Sequence, residues 1–401
     1  MRSVEEHQRV VAGLITARPP VAVSLADAVG LVLAEDVVAP VPLPVFDNSA
    51  MDGYAVRADE VASATPEHPV KLPVADDIAA GRTDIPTLEP GTAHRIMTGA
   101  PIPAGATAVV PVEFTDGRTD TVSIHAASGA GRHIRRAGED VRAGAPVLRA
   151  GQVVTPAVAG LAAALGLPEL RVIPRQRVLV ISTGSELVPP GTPLQPGQVY
   201  ESNSIMLAAA VRDAGAAVVG TPTAGDDVAQ FAAALERYAR DADLIITSGG
   251  VSAGAYEVVK DAFGRGGDRG VEFVKVAMQP GMPQGVGRVA GTPIVTMPGN
   301  PVSALVSFEV FVRAALRRAM GVPAPERPRI SAVLTETLTS PPGKRQFRRG
   351  VLDAAGTTVS GCGPPASHHL RWLASANCLL DIPEDVVEVP AGSALQVWDL
   401  R

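Results

Sequence analysis

From residue 177 to residue 320 the chain alternates short β-branched runs with segments of helical period, and this order restricts the fold more than any other feature. Val178–Ser182, Ala216–Gly220, Leu244–Thr247, Phe273–Val276 and Pro293–Met297 read as strands. Ser204–Asp213, Asp227–Arg240 and residues 301–320 read as helices. Strand–helix–strand connections cross over right-handedly, so the segment predicts a largely parallel sheet in a three-layer α/β/α domain. The flanking chain has a different texture. Residues 4–17 place Val4, Val10, Val11, Leu14 and Ile15 at helical spacing until Pro19-Pro20. Between 41 and 150, runs such as Ala108–Val112 and Val122–Ile124 are separated by Pro, Gly and Asp, an all-β pattern. After Gly321 the proline-rich VPAPERPRI leads into alternating segments such as Ile330–Leu338 and Leu379–Ile382, which predict a small β-barrel or sandwich.

A length of 401 residues exceeds the roughly 250–300 at which one core stops growing, so several domains are expected. Hydrophobic residues at 46% and charged residues at 19% exclude a disordered chain. A net charge of −6 gives no polyanion-binding field, and nucleic acid is not an expected partner. Cys362 and Cys378 form neither a CxxC nor a zinc set, which fits a reducing compartment. The opening MRSVEEHQRVVAGLI carries acids where an export signal needs a basic stretch, so a cytoplasmic location is expected. The uncharged windows Ala150–Pro168 and Val289–Phe308 are broken by Pro and Gly, and no membrane span is expected.

In an open parallel sheet, ligands bind beyond the carboxyl ends of the strands, and three such ends carry acids here. Val178–Ser182 runs into Thr183-Gly184-Ser185-Glu186, Ala216–Gly220 into Gly225-Asp226-Asp227, and Leu244–Thr247 into Ser248–Gly254 with Glu257 behind it. Carboxylates converging on one crevice need a cation, and Mg²⁺ with a phosphate is the usual solution. Asp227 equally suits a helix cap. Ser248, Gly249, Gly250 and Ser252 belong to an SGGVSAG loop whose unobstructed N–H groups suit an anion, although it matches no nucleotide fingerprint. Pro298-Gly299-Asn300-Pro301 places Asn300 at an N-cap and Pro301 at the first helical position, and Lys275 adds a cation near a strand end.

Three further segments stand out. Phe46–Ala55, FDNSAMDGYA, holds two acids and a glycine between apolar anchors, while RIMTGAP and Gly138-Glu139-Asp140 add a hydroxyl and more acid. Phe347-Arg348-Arg349-Gly350 and Ser367-His368-His369 offer the guanidinium and hydroxyl that a tetrahedral oxyanion recruits. The histidine pair lacks a third metal ligand at a sensible spacing.

FDNSAMDGYA, RIMTGAP, GED, STGSEL, SGGVSAG, PGNPVSA and the FRRG…SH pair stand in an order and spacing that resemble the molybdopterin molybdenumtransferase family, the bacterial MoeA proteins and the E domain of gephyrin. The resemblance spans nearly the whole chain and implies a multidomain α/β plus β fold. Residues 1–19 and 171–321 would form a three-layer, MogA-like α/β/α domain, 20–41 and 144–170 a linking domain, 42–143 a β-rich insertion domain, and 322–401 a C-terminal β-barrel. It implies an elongated homodimer in which Asp52 and Thr98 complete the partner's site. The implied reaction inserts molybdate into adenylylated molybdopterin, releases AMP with Mg²⁺ assistance and yields molybdenum cofactor, with the molybdopterin adenylyltransferase as a possible partner. Carried over by position, Asp52, Thr98, Asp140, Glu186 and Asp226 would be catalytic. Glu186, Asp226 and Glu257 would serve the metal, and Ser248, Gly249, Gly250, Ser252, Lys275, Pro298, Asn300, Pro301, Arg349 and Ser367 the substrates. Two departures stand out: Glu257 replaces a common Asp, and Gln279 and Met282 occupy lysine positions of the family, with Arg348 available to compensate. Alternatives are a paralogue for tungstate or another pterin form, and a gephyrin-like scaffold.

Overall fold

In the computed structural model of the chain, residues 1–225, 227–250, 258–263 and 270–401 are described; Asp226, Ser252 and Glu257 lie outside them. The chain separates into two compact units, one of residues 1–21, 30–34 and 171–401 and one of 22–29 and 35–170.

In the first unit the strands β1 (Arg177–Thr183), β2 (Ala217–Gly220), β3 (Leu244–Ser248), β4 (Val271–Lys275), β5 (Pro283–Val289) and β6 (Thr292–Met297) lie in the order β2-β1-β3-β6-β5-β4. The first four in that order are mutually parallel, whereas β5 runs antiparallel to both β6 and β4. The strand period of two divides their side chains between two cores. Val178, Val180, Leu244, Ile246, Val295 and Met297 meet the helices α1 (Val4–Leu14) and α2 (Asn203–Asp213) and the helical run from Pro301 to Ala319. Leu179, Ile181, Ile245 and Ile294 meet α3 (Val228–Tyr238) and α4 (Val258–Phe263) through Phe231, Leu235, Val259 and Phe263. Burial on both faces explains why these strands read as continuous apolar runs. Three layers are therefore present.

Strand β5 was not legible, because Pro283, Gly285 and Gly287 argue against a strand. The glycines are required by the packing. A Cβ at Gly285 would lie 2.1 Å from the Thr296 hydroxyl, and one at Gly287 would lie 1.9 Å from the Gly270 carbonyl oxygen. Helix α1 also ends earlier than the apolar spacing suggests, at Leu14, with Ile15 extended and Ser3 capping through the Glu6 N–H.

The carboxy-terminal strands β7 (Arg329–Leu334), β8 (Arg345–Leu352), β9 (Thr358–Gly361), β10 (Cys378–Ile382) and β11 (Ala394–Asp399) follow the order β8-β9-β7-β11-β10, and β10 pairs back onto β8. The barrel is closed, which removes every edge strand from the ring. The run expected as Ile330–Leu338 leaves the barrel after Leu334, and Leu338–Thr339 pairs separately with Glu388–Val389.

The second unit holds a five-stranded sheet in the order 108–111, 53–56, 93–96, 70–78, 121–124. Tyr54, Val56, Val110 and Val122 pack on one face, and Ala55, Ile78, Ile96 and Val109 on the other. The uncharged stretch 150–168 contains only the nine-residue helix Pro156–Ala164, and among the described residues no helix is long and apolar enough to cross a membrane.

His7 of α1 is fully buried, edge-on to Phe311 with ring centroids 4.6 Å apart. Burial, helped by the charge of Arg2, lowers its pKa from 6.5 to about 4. Between those values the unfolded chain binds a proton that the native state refuses, so stability falls as pH drops. Lowering the pH from 7 to 5 is expected to cost about 2 kcal/mol through this group, and His7→Leu should flatten that slope. Trp372 and Trp398, the two tryptophans, both belong with His7 to the first unit, so denaturant titrations followed by their fluorescence measure it. An unchanged slope in the variant would exclude His7 as the source.

Candidate functional site

The carboxyl ends of β1, β3 and β6 open onto one cleft of about 1300 Å³, lined entirely within the first unit. Ser182–Gly184 and Glu186 come from the end of β1, Ser248–Gly250 from β3, and Pro298–Pro301 from β6. The β3 turn can exist only with glycine. Gly249 has φ +97°, and a Cβ there would lie 2.7 Å from both the carbonyl and hydroxyl oxygens of Thr183. Gly250 has φ +66°, and its Cβ would fall 2.7 Å from Val259. The Gly249 N–H donates to the Met297 carbonyl at 3.0 Å, and the lack of side chains leaves the Gly250 backbone unobstructed, as an anion-binding turn requires.

Asn203 ties two of these strand ends together, its Nδ2 donating to the Ser248 hydroxyl at 2.7 Å and to the Gly299 carbonyl at 2.6 Å. Beneath it, the buried Glu201 accepts from the Ser182 hydroxyl and the Ser204 N–H, both at 2.7 Å, and from the Ser204 hydroxyl. Glu201 thereby supplies the side-chain cap that Ser202 does not give to α2. Glu186 folds back over its own turn, with its carboxylate oxygens 2.5 and 2.7 Å from where a Gly184 Cβ would stand.

At the opposite wall Asn300 occupies the N-cap position, but its side chain makes no cap bond. Its Nδ2 donates instead to the Ser367 hydroxyl at 2.9 Å, while the Val302 N–H donates to the Ser367 carbonyl at 3.0 Å. The first N–H after Pro301 is therefore taken by the chain itself, contrary to the exposed helix terminus expected from sequence. Arg349 also differs from expectation. It is 2% exposed and donates to the Ala366 and His369 carbonyls at 3.1 and 3.2 Å and to that of Pro364, so it holds the Ser367 loop in place. Lys275 is exposed at the end of β4, paired with Pro283 and outside the cleft lining. Arg348 does not line the cleft either, so it does not supply there the positive charge missing at Gln279 and Met282, which do line it. Asp227 caps α3 through the Ala229 and Gln230 N–H groups.

In the second unit the Asp52 carboxylate accepts the Thr98 N–H at 2.6 Å and its hydroxyl at 2.8 Å. Those two bonds, the backbone one first, hold its pKa below the usual carboxylate range. Gly53 permits the geometry, since a Cβ there would lie 2.0 Å from the Val110 carbonyl oxygen. Asp140 is exposed on a turn whose N–H donates to the Leu43 carbonyl.

Comparison with known proteins decides the family. The MoeA N-terminal region (domains I and II) matches residues 2–166, a probable molybdopterin binding domain matches 179–318, and the MoeA C-terminal region (domain IV) matches 331–400. Molybdopterin molybdenumtransferase 2 of Mycobacterium tuberculosis is 76% identical over the full length of both chains. The chain belongs to the molybdopterin molybdenumtransferase family. Molybdopterin molybdenumtransferase 1 of the same organism is 38% identical, covering 99% of this chain and 98% of its own. A crystal structure of the molybdopterin biosynthesis MoeA protein of Pyrococcus horikoshii superposes with a TM-score of 0.82 at 29% identity, covering 100% of this chain and 99% of that one.

For a molybdopterin molybdenumtransferase family member, the cleft contains residues that sequence reasoning passed over: Tyr200, Glu201, Asn203 and Lys344. The polar ESNS stretch ahead of the apolar period of α2 is a cap signature and could have pointed to Glu201 and Asn203. Lys344 has no such signal, because a pairing distant in the chain, Met278-Gln279 with Arg345-Gln346, brings it to the cleft.

Proposed function

We propose that this chain inserts molybdate into adenylylated molybdopterin and releases AMP, the last step in forming molybdenum cofactor. The observation that carries the reading is the full-length likeness, at 76% identity, to a protein named molybdopterin molybdenumtransferase 2. The cleft adds physical support. At about 1300 Å³ it exceeds the roughly 300–1,000 Å³ of ordinary small-molecule sites, room suited to a substrate with a pterin half and a nucleotide half. Its glycine turn at Gly249-Gly250 suits a phosphate.

Mg²⁺ belongs to the proposal. It takes one or two carboxylates and completes its shell with waters and substrate phosphates, rather than seeking an all-protein cage. One donor of that kind is in place, the Glu186 carboxylate at the cleft. Asp226 and Glu257 complete the expected ligands. When bound, the ion would offset charge on the phosphate that leaves as AMP. Glu186 orients the nucleotide half, the turn at Gly250 receives its phosphate, and the Ser367 loop held by Arg349 receives the oxyanion. The four-domain division, a homodimer completed by Asp52 and Thr98, a further role for Asp140, a cytoplasmic location and supply by an adenylyltransferase belong to the same reading.

The test is AMP release from adenylylated molybdopterin by the purified chain with Mg²⁺, with and without molybdate, and with tungstate in its place. Molybdate-dependent release is expected. Binding of the adenylylated pterin without release under either oxyanion would overturn the transferase reading in favour of a scaffold.

A further inference from the structure

The charged side chains along the cleft wall, among the described residues, are Glu186, Glu201 and Lys344. Two carboxylates and one lysine are a poor reception for a dianion unless that lysine is available to it. The arginines around it are not. Arg349 is engaged with three carbonyls. Arg345 holds Asp381 through two bonds of 2.7 and 2.6 Å and also pairs with Glu5. Lys344 has no ion pair and no side-chain hydrogen bond among the described residues.

Its position comes from the main chain. The Arg345 N–H donates to the Ala277 carbonyl at 3.0 Å, and Met278-Gln279 pairs in parallel with Arg345-Gln346. This pairing carries the start of β8 onto the segment Gln279–Met282, which lines the same cleft. Lys344 stands in the bend just before β8 and lines the cleft, while Arg345 turns to Asp381. Ser367 lines the same cleft, and its chemistry suits a tetrahedral anion. The Ser367 hydroxyl accepts from Asn300, which leaves its own hydrogen free to donate.

We infer that Lys344 binds a tetrahedral dianionic oxyanion in this cleft, its ammonium acting with the Ser367 hydroxyl. The inference rests on the transferase reading and deepens it. Two sources share this chemistry, molybdate itself and the monophosphate of the released AMP.

Calorimetric titration of the purified full-length chain with sodium molybdate and, separately, with AMP distinguishes them. A charge-assisted contact of this kind is expected to make Lys344→Gln bind one of the two about ten- to a hundredfold more weakly. Lys344→Arg should keep most of the affinity. Lys71→Gln, the same charge change at an exposed side chain of the other unit, should match the wild type. Loss confined to molybdate assigns Lys344 to the metal oxyanion, and loss confined to AMP assigns it to the phosphate. Wild-type affinity of Lys344→Gln for both ligands overturns the inference and leaves the transferase reading intact. A wild-type chain that binds neither overturns the inference as well, and the AMP-release assay then decides whether the transferase reading falls with it.

Discussion

Glu186→Gln is expected to slow molybdate-dependent AMP release by about 10²–10⁴-fold, the range over which a positioned charged group acts in a transition state. The substitution keeps the shape of a side chain folded over Gly184 and removes only its charge. Glu186 is half-buried at the rim, and its main chain is held independently by the Val199 N–H on its carbonyl. Stability and oligomeric state should therefore remain those of the wild type. A Mg²⁺ titration separates two roles. If the carboxylate holds the ion, the variant should need more Mg²⁺ to reach its residual rate; if it orients substrate, the Mg²⁺ dependence should not move. A wild-type rate in Glu186→Gln would remove this residue from the mechanism.

What could be read beforehand follows from the range over which each feature is specified. The parallel strands β1, β3 and β6 were legible because burial on both faces forces apolar runs, and their carboxyl ends drew attention to Glu186, Ser248 and Asn300. Asp227 was readable as a cap because a cap is local. The β5 strand was hidden because its glycines answer to Thr296 and Gly270, residues distant in the chain, and not to strand propensity. Arg349 shows the limit on the chemical side. An arginine beside a serine loop is equally suited to an anion or to carbonyls, and only the fold shows three carbonyls around it. Lys344 is the converse case, an ordinary lysine in sequence that the pairing of Met278-Gln279 with the start of β8 carries to the cleft wall.

The largest expected loss of stability comes from a residue far from these considerations, Glu309. The helical run from Pro301 to Ala319 is wound as a π-helix between Phe308 and Arg313, and Glu309 lies there only 6% exposed. Arg327, from the proline-rich segment before the barrel, grips it with bonds of 2.9 and 3.0 Å, and Arg313 approaches it at 3.7 Å. Both arginines also reach Asp213, at 3.0 and 3.3 Å. Although burial works against the charge on Arg327, its bonds to Glu309 and the charge of Asp213 prevail and raise its pKa. Burial lowers that of Arg317 nearby, with Arg313 and Arg327 adding to the effect. Glu309 thus balances a crowd of partly buried guanidinium groups. Removing one partner of a buried pair costs about 3–5 kcal/mol, and here it leaves two largely buried arginines to share the exposed Asp213 as their carboxylate partner. Glu309→Gln should lose that much in denaturant titrations read by tryptophan fluorescence. Asp213→Asn removes a carboxylate whose side chain is 57% exposed and should lose less than about 1 kcal/mol. Equal losses in the two variants would mean that burial does not set the worth of these contacts, and a loss below about 1 kcal/mol in Glu309→Gln would show the cluster to be as weak as a surface network.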